Sequence, residues 1–188
     1  TIDPYLGIKE AGLRRDFSIN AIYYDLKNNT LIDNFGGLKD LENRLIRHIS
    51  SSFEDDQLRV LRSIRFSSTL GFSIADETIQ ECLKMNINDL SQDRITQEFR
   101  KIILGDYPEI GLNYLKDLLG DEYNIKDLDK LEQKVKFHPE GDVWVHTLQT
   151  IKLAKYINPN PENKFELLTG LLFHDIGKIR DLEKKDIK

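Results

Sequence analysis

The chain has a single cysteine, Cys82. An internal disulfide is therefore excluded, and a reducing compartment, the cytoplasm, is expected. No apolar run approaches the roughly 18 residues of a membrane helix, and the first residues carry neither the basic nor the apolar stretch of a secretory signal. Positive charge is also short: 27 Lys and Arg stand against 32 Asp and Glu, a formal net charge of −5. A uniformly basic nucleic-acid binder is thereby excluded. There is no internal repeat and no low-complexity tract. What is there, 39% hydrophobic and 31% charged residues over 188 positions, fits a globular protein of one to two small domains that can bury a core.

The charge is unevenly spread. Residues 1–70 hold 10 basic and 10 acidic side chains, so the deficit lies wholly in the C-terminal part. Arg14, Arg15, Arg44, Arg47, Arg59, Arg62 and Arg65 all fall in that balanced part, so a contact with phosphates or RNA is expected to be local. Two segments concentrate these groups. Arg14-Arg15-Asp16-Phe17-Ser18-Ile19-Asn20-Ala21 sets two cations and a carboxylate beside a predicted apolar strand, a set that suits a triphosphate and a ribose. Asp55-Asp56-Gln57-Leu58-Arg59-Val60-Leu61-Arg62-Ser63-Ile64-Arg65-Phe66 reads as a helix. Val60, Leu61 and Ile64 share one face, while Asp55, Asp56, Arg59, Arg62 and Phe66 gather opposite.

These two segments resemble motifs of the class II tRNA nucleotidyltransferases, the family of CCA-adding enzymes and bacterial poly(A) polymerases. The first is similar to that family's ribose and triphosphate motif, usually RRDFTINA, and the second to its base-reading motif, usually EDPLRVLRAARF. Ser18 stands for Thr, Asp55 for Glu and Gln57 for Pro, and Asn34 stands for Pro in Asp33-Asn34-Phe35-Gly36-Gly37. Further on, His138-Pro139-Glu140-Gly141-Asp142, then His146, then His174-Asp175-Ile176-Gly177-Lys178, resemble the HD domain fused to many bacterial members. The resemblance spans about Glu10 to Gly105 and about Gln133 to Ile179.

The resemblance implies nucleotide contacts from Arg14, Arg15, Asp16, Asn20, Asp55, Asp56, Arg59, Arg62 and Arg65. It also implies CTP, ATP and the tRNA 3′ end as partners. The base-reading role has a chemical rationale. Cytosine and adenine both present an amino donor next to a ring-nitrogen acceptor, whereas uracil and guanine present a carbonyl next to an N–H. Asp56 as acceptor and Arg59 as donor complement the first pair and oppose the second; the plain alternative is an i, i+3 ion pair. Arg62 and Arg65 could instead serve as partners of Asp55 or Glu54, or meet phosphates. In the family, transfer uses Mg2+ held by a DxD carboxylate pair after a Gly-Gly loop. Neither precedes Arg14, so the chain is expected to be an internal piece with no catalytic residue of its own for that step. Asp127-Leu128-Asp129 has the spelling but no Gly-rich loop before it, and reads as solvated surface.

His146, His174 and Asp175 are the candidate metal ligands. Their nitrogen and oxygen donors suit Ni2+ or Mn2+ as well as Co or Fe, and Lys178 and His138 are candidate phosphate contacts. His48 and Trp144 read as packing residues.

The expected fold is α+β and mainly helical. Residues 19–26 and 30–33 form a hairpin turned at Asn28-Asn29, and residues 45–49 a last strand. Gly71 ends the Arg-rich helix, and Asp76 caps a helix ending near Asn88. Ser91 caps Gln92 to Leu104, Pro108 starts a helix to about Leu119, and Asp142 to Ile157 and Phe165 to His174 are two more. Residues 1–52 are thus expected to be the end of a nucleotidyltransferase head with a small sheet. Residues 53–132 form a helical neck and body that bind nucleotide and RNA, and residues 133–188 the start of an all-α HD domain. The expected activity is CCA addition to tRNA. The alternatives are poly(A) polymerase of the same family, an HD-domain metal-dependent phosphohydrolase, and a non-enzymatic RNA-binding piece. No membrane partner is expected, and the oligomeric state is unread.

Overall fold

The computed structural model describes residues 7–133, 136, 139–157 and 163–180. Helix α1 (Ile8–Leu13) is followed by a 3-10 turn, Ser18–Asn20, and by the hairpin of β1 (Ile22–Asp25) and β2 (Thr30–Asp33). The hairpin is antiparallel, with Ile22 opposite Asp33 and Asp25 opposite Thr30. Its turn falls where the asparagines stand. Asp25 accepts from the amides of Lys27 and Asn28 at 2.9 and 3.2 Å, and Asn29 takes a left-handed φ of 53° that asparagine tolerates well. The first strand is shorter than expected, because the Asn20 amide bonds back to the Phe17 carbonyl and winds residues 18–20 into the turn. Arg14, Arg15 and Asp16 therefore sit on a bend and not beside a strand.

A glycine opens α2 (Gly37–Glu42). Gly36, at φ 74°, turns the chain so that Asp33 can accept from the amides of Phe35, Gly37 and Leu38. Burial pushes the Asp33 carboxyl up, but the amides of Leu38, Gly37, Phe35 and Gly36 outweigh it and hold the group below its usual range. The strand expected over 45–49 is reduced to β3 (Leu45–Ile46), with His48 bridging Phe17 beyond it. β3 runs parallel to β4 (Ser73–Ile74), and α3 (Leu58–Leu70) is the crossover between them. This unit ties the N-terminal part to the helices.

Val60, Leu61 and Ile64 are fully buried, as the helical period predicts, and Gly71 at φ 69° ends α3. Asp55 and Asp56 are not on its polar face as expected. Asp55 closes a 3-10 turn, Ser51–Asp55, and Asp56 is extended, since the helix begins only at Leu58. α4 (Asp76–Lys84) has Ala75 at its N-cap, so Asp76 lies inside the first turn instead of capping it, and the helix ends before Asn88. α5 (Gln92–Ile103) follows Ser91, which holds the N-cap position without a side-chain hydrogen bond. α6 (Pro108–Leu119) begins on its proline, whose missing N–H costs nothing there.

α3 approaches α6 closely because small residues meet. A Cβ on Gly111 would lie 2.4 Å from the Cβ of Ser68, whose hydroxyl donates to the Ile102 carbonyl of α5 at 2.5 Å. The charged stretch 120–136, expected to be a boundary, sinks Ile125, Leu128 and Leu131 into the same core. That core continues into α7 (Val143–Ile157) and α8 (Lys164–Phe173) through Val143, Trp144, Ile151, Leu168 and Leu172. Trp144 is buried and donates from Nε1 to Asn113 at 2.7 Å. His48 packs beside Phe53 with Thr78 Oγ1 2.9 Å from its Nδ1. Cys82 is buried, and burial pushes its thiol up to about 11. No helix among the described residues is long and apolar enough to cross a membrane.

Candidate functional site

The bend after α1, the extended Asp56 two residues before α3, the polar face of α3 and the first turn of α5 meet at one cavity of about 400 Å3. Arg14, Arg15, Asp16, Asn20, Asp56, Arg59 and Arg62 all line it. So does Arg94, which the sequence reading missed. Asp16 is the anchor. It is 7% exposed, and its Oδ1 accepts from the Phe17 amide and from Asn20 Nδ2, each at 3.0 Å. Its Oδ2 accepts from Arg62 Nε at 2.7 Å and lies 2.5 Å from Nη2. A carboxylate has about four lone-pair directions, and these four donors occupy them. Asp16 thus fixes Asn20 and Arg62 in one geometry at the cavity wall.

Asp56 and Arg59 do not pair with each other. Asp56 accepts from the Leu58 amide at 3.1 Å and from Arg94 Nη2 at 3.1 and 3.3 Å. Arg59 donates from Nη1 to the Ser52 carbonyl and from Nη2 to the Arg14 carbonyl at 3.0 Å, with the Phe53 ring 6.0 Å beneath it. Each group is therefore oriented by a third party, and the i, i+3 ion pair is absent. Five guanidinium groups against two carboxylates leave the cavity strongly positive, as a polyphosphate requires.

Arg94 did leave one trace in the sequence. It sits in the first turn of α5, where the helix dipole disfavours a cation, and a local rule broken without local gain points to a use elsewhere. The distant ion pair supplies that use. The expected partners of Arg62 and Arg65 are corrected as well. Arg62 pairs with Asp16, and Arg65 lies 3.0 Å from Glu98 on α5, close but not aligned as a hydrogen bond. Asp55 and Glu54 are exposed and bind neither. Arg65 lines a separate cleft of about 430 Å3 with Arg100 and Lys101, not the cavity that holds the other arginines.

A second cluster lies where α7 meets the end of α8. Ligand atoms of His146, His174 and Asp175 all fall within 4.8 Å of one another. Donors bonded to one ion at about 2.1 Å stand about 3–3.5 Å apart, so side-chain shifts of about 1–2 Å would close the three donors on one ion. Both imidazoles have Nδ1 engaged, His146 with Glu140 Oε1 at 2.5 Å and His174 with the Leu171 carbonyl at 2.6 Å. Lys178 reaches Asp175 Oδ2 at 2.6 Å. His138 lies outside the described residues. The Asp127 and Asp129 carboxylates pair with Lys130 and Lys116 at the surface, while Leu128 between them is buried.

Three family models match in order along the chain. Residues 6–47 match the poly A polymerase head domain, residues 71–119 the probable RNA and SrmB-binding site of polymerase A, and residues 143–188 the HD domain. The multifunctional CCA protein of Haemophilus ducreyi is 38% identical over 185 residues, which cover 93% of this chain and 45% of that protein. The chain spans a little under half the length of the curated relatives it matches. Among solved structures, the Bacillus stearothermophilus CCA-adding enzyme in complex with CTP is 27% identical with a TM-score of 0.59, over 88% of this chain and 47% of that one. The Thermotoga maritima CCA-adding enzyme complexed with tRNA is 26% identical with a TM-score of 0.58, over 88% of this chain and 41% of that one.

Proposed function

We infer that this chain, which belongs to the CCA-adding enzyme family, supplies the nucleotide-selecting part of a protein that adds C, C and A to the tRNA 3′ end from CTP and ATP. In this reading residues 1–52 end the catalytic head, residues 53–132 form the nucleotide- and RNA-binding neck and body, and residues 133–188 begin the HD domain. Arg14 and Arg15 bind the triphosphate. Asp16 holds Asn20 and Arg62 in place for the ribose and phosphates. Asp56 and Arg59 read the base edge, and Arg94 orients Asp56.

The observation that carries the reading is the arrangement at the cavity of about 400 Å3: Asp56 bound to Arg94, and Arg59 bound to the Ser52 and Arg14 carbonyls. An Asp/Arg pair locked on itself would present little to a base. Held apart by other partners, Asp56 keeps lone pairs for the exocyclic amino group of cytosine or adenine, and Arg59 keeps donors for the ring nitrogen. Uracil and guanine would set a carbonyl against the carboxylate and an N–H against the guanidinium. Both mismatches leave polar groups unpaired, which costs about 1–3 kcal/mol each.

Both end domains of the family use divalent metal. Mg2+ bound by carboxylates of the head would supply the charge stabilisation for in-line attack at the α-phosphate. His146, His174 and Asp175 would hold Ni2+ or Mn2+ in the HD part. That second cluster favours phosphoester hydrolysis as an additional activity of the same protein.

Kinetics with the four nucleoside triphosphates test the reading in the full-length protein. Asp56→Ala should lose about 1–3 kcal/mol of discrimination against UTP and GTP. Arg15→Ala should weaken all four alike, because phosphates carry no base identity. Unchanged selectivity in Asp56→Ala, or a base-dependent loss in Arg15→Ala, would refute the assignment.

A further inference from the structure

The loop before α7 is built around one acceptor. Gly141 has a φ of 101°, a left-handed conformation that side chains rarely adopt, although a Cβ there would meet nothing within 4 Å. Backbone conformation and not space therefore calls for glycine. The turn is pinned on one side, where the Gln133 amide donates to the Gly141 carbonyl at 2.7 Å and the Val143 amide to the Leu131 carbonyl at 3.1 Å. On the other side Asp142 Oδ1 accepts from the Val145 amide at 2.8 Å and caps α7. Between these pins the chain reverses, and Glu140 is thrown back over the first helical turn to His146.

We propose that Glu140 is a positioning residue for the metal cluster: by accepting the Nδ1–H of His146 it fixes the ring tautomer and aims the Nε2 lone pair at the ion shared with His174 and Asp175. The proposal rests on the metal reading of that cluster. Its geometry is the 2.5 Å separation of Glu140 Oε1 and His146 Nδ1. His174 shows the same device with a different acceptor, the Leu171 carbonyl on its Nδ1 at 2.6 Å. Its Nε2 lies 3.3 Å from Asp175 Oδ2, on the side where the donors converge. The two rings, 5.5 Å apart between centroids, are thus both tied at Nδ1, and in the proposed site each would give Nε2 to the metal. A carboxylate on the far nitrogen also makes the imidazole a stronger ligand. The Glu-Gly-Asp sequence ahead of His146 acquires a physical reason: the acid orients the ligand, the glycine makes the reversal and the aspartate starts the helix.

The test has two arms. Nitrogen-15 spectra of histidine-labelled, metal-free protein at about pH 8, where an ordinary imidazole is neutral, read the tautomer directly. His146 should carry its proton on Nδ1. Glu140→Ala should shift it toward Nε2–H, and Glu140→Gln, which keeps an acceptor oxygen, should not. Calorimetry with Mn2+ alone should then show about 10- to 100-fold weaker binding in Glu140→Ala and near recovery in Glu140→Gln, with circular dichroism unchanged in both. An unaltered tautomer in Glu140→Ala together with intact Mn2+ binding would overturn the role of Glu140. A tautomer that moves as expected in a protein taking up no Mn2+ would overturn the metal reading beneath it.

Discussion

Replacing Arg62 with alanine removes two charge-assisted contacts to Asp16, at 2.7 and 2.5 Å, and leaves a carboxylate only 7% exposed with the Phe17 amide and Asn20 as its remaining donors. Breaking a fully buried pair costs about 3–5 kcal/mol, and a surface pair about 0–1 kcal/mol. The Arg62 side chain is 31% exposed, so water can enter where the guanidinium stood, and an intermediate cost of about 2–3 kcal/mol follows. Asp16→Ala should cost a similar amount for another reason, because the buried Phe17 amide loses its acceptor at about 1–3 kcal/mol while Arg62 can rehydrate. For a chain of this size, 1 kcal/mol shifts the melting temperature by about 2–4 °C, so each single variant should melt about 4–12 °C lower. The double variant should be less destabilised than the sum of the singles by about 1.5–2 kcal/mol, the coupling expected of groups sharing one network. Denaturant unfolding of the four proteins of the cycle measures this at pH 7. A coupling below about 0.5 kcal/mol would refute the claim that this pair organises the cavity wall.

Arg94→Ala should unfold within about 1 kcal/mol of the parent, since the pair with Asp56 is half exposed. It should nevertheless lose selectivity between CTP or ATP and the other two triphosphates, and selectivity equal to the parent would remove Arg94 from the site. Gly111→Ala sets a methyl 2.4 Å from the Ser68 Cβ between two packed helices, and should cost about 1–3 kcal/mol in a thermal melt; a neutral result would mean that α3 and α6 separate freely. Burial holds the His48 imidazole below its ordinary range, aided by Arg47 and Lys84 and opposed by Glu81. The unfolded chain therefore takes up that proton more readily. The contribution of His48 to stability is complete above about pH 6.5 and is lost as pH falls through the lower folded value. Unfolding midpoints from pH 7.5 to 5.5 should decline less steeply in His48→Gln, and equal slopes would exclude this residue as a cause.

Several features were legible because they depend on residues close in the chain. The hairpin turn at Asn28-Asn29, the stop of α3 at Gly71 and the start of α6 at Pro108 are each set by one residue's own φ preference or missing N–H. The buried trio Val60, Leu61 and Ile64 follows from the helical period alone. The two Arg-rich segments and the two histidine segments could be recognised because each is short and carries several matching residues. Where local reading erred, a neighbouring contact prevailed: the Asn20 amide turned toward Phe17, and the helix began at Leu58 with Asp56 extended before it.

Pairing across the fold had no such local trace. Arg62 reaches Asp16 and not Asp55, Arg65 reaches Glu98, and Asp56 reaches Arg94, over sequence separations that no periodicity relates. Residue types in the sequence determined that cations, carboxylates and imidazoles would be available in these segments. Which of them are held by partners and which line the cavity was decided by helix packing, because an ion pair or hydrogen bond forms only within about 3–4 Å, and only the packed chain sets distances that short between the bend after α1, α3 and α5, or between α7 and α8.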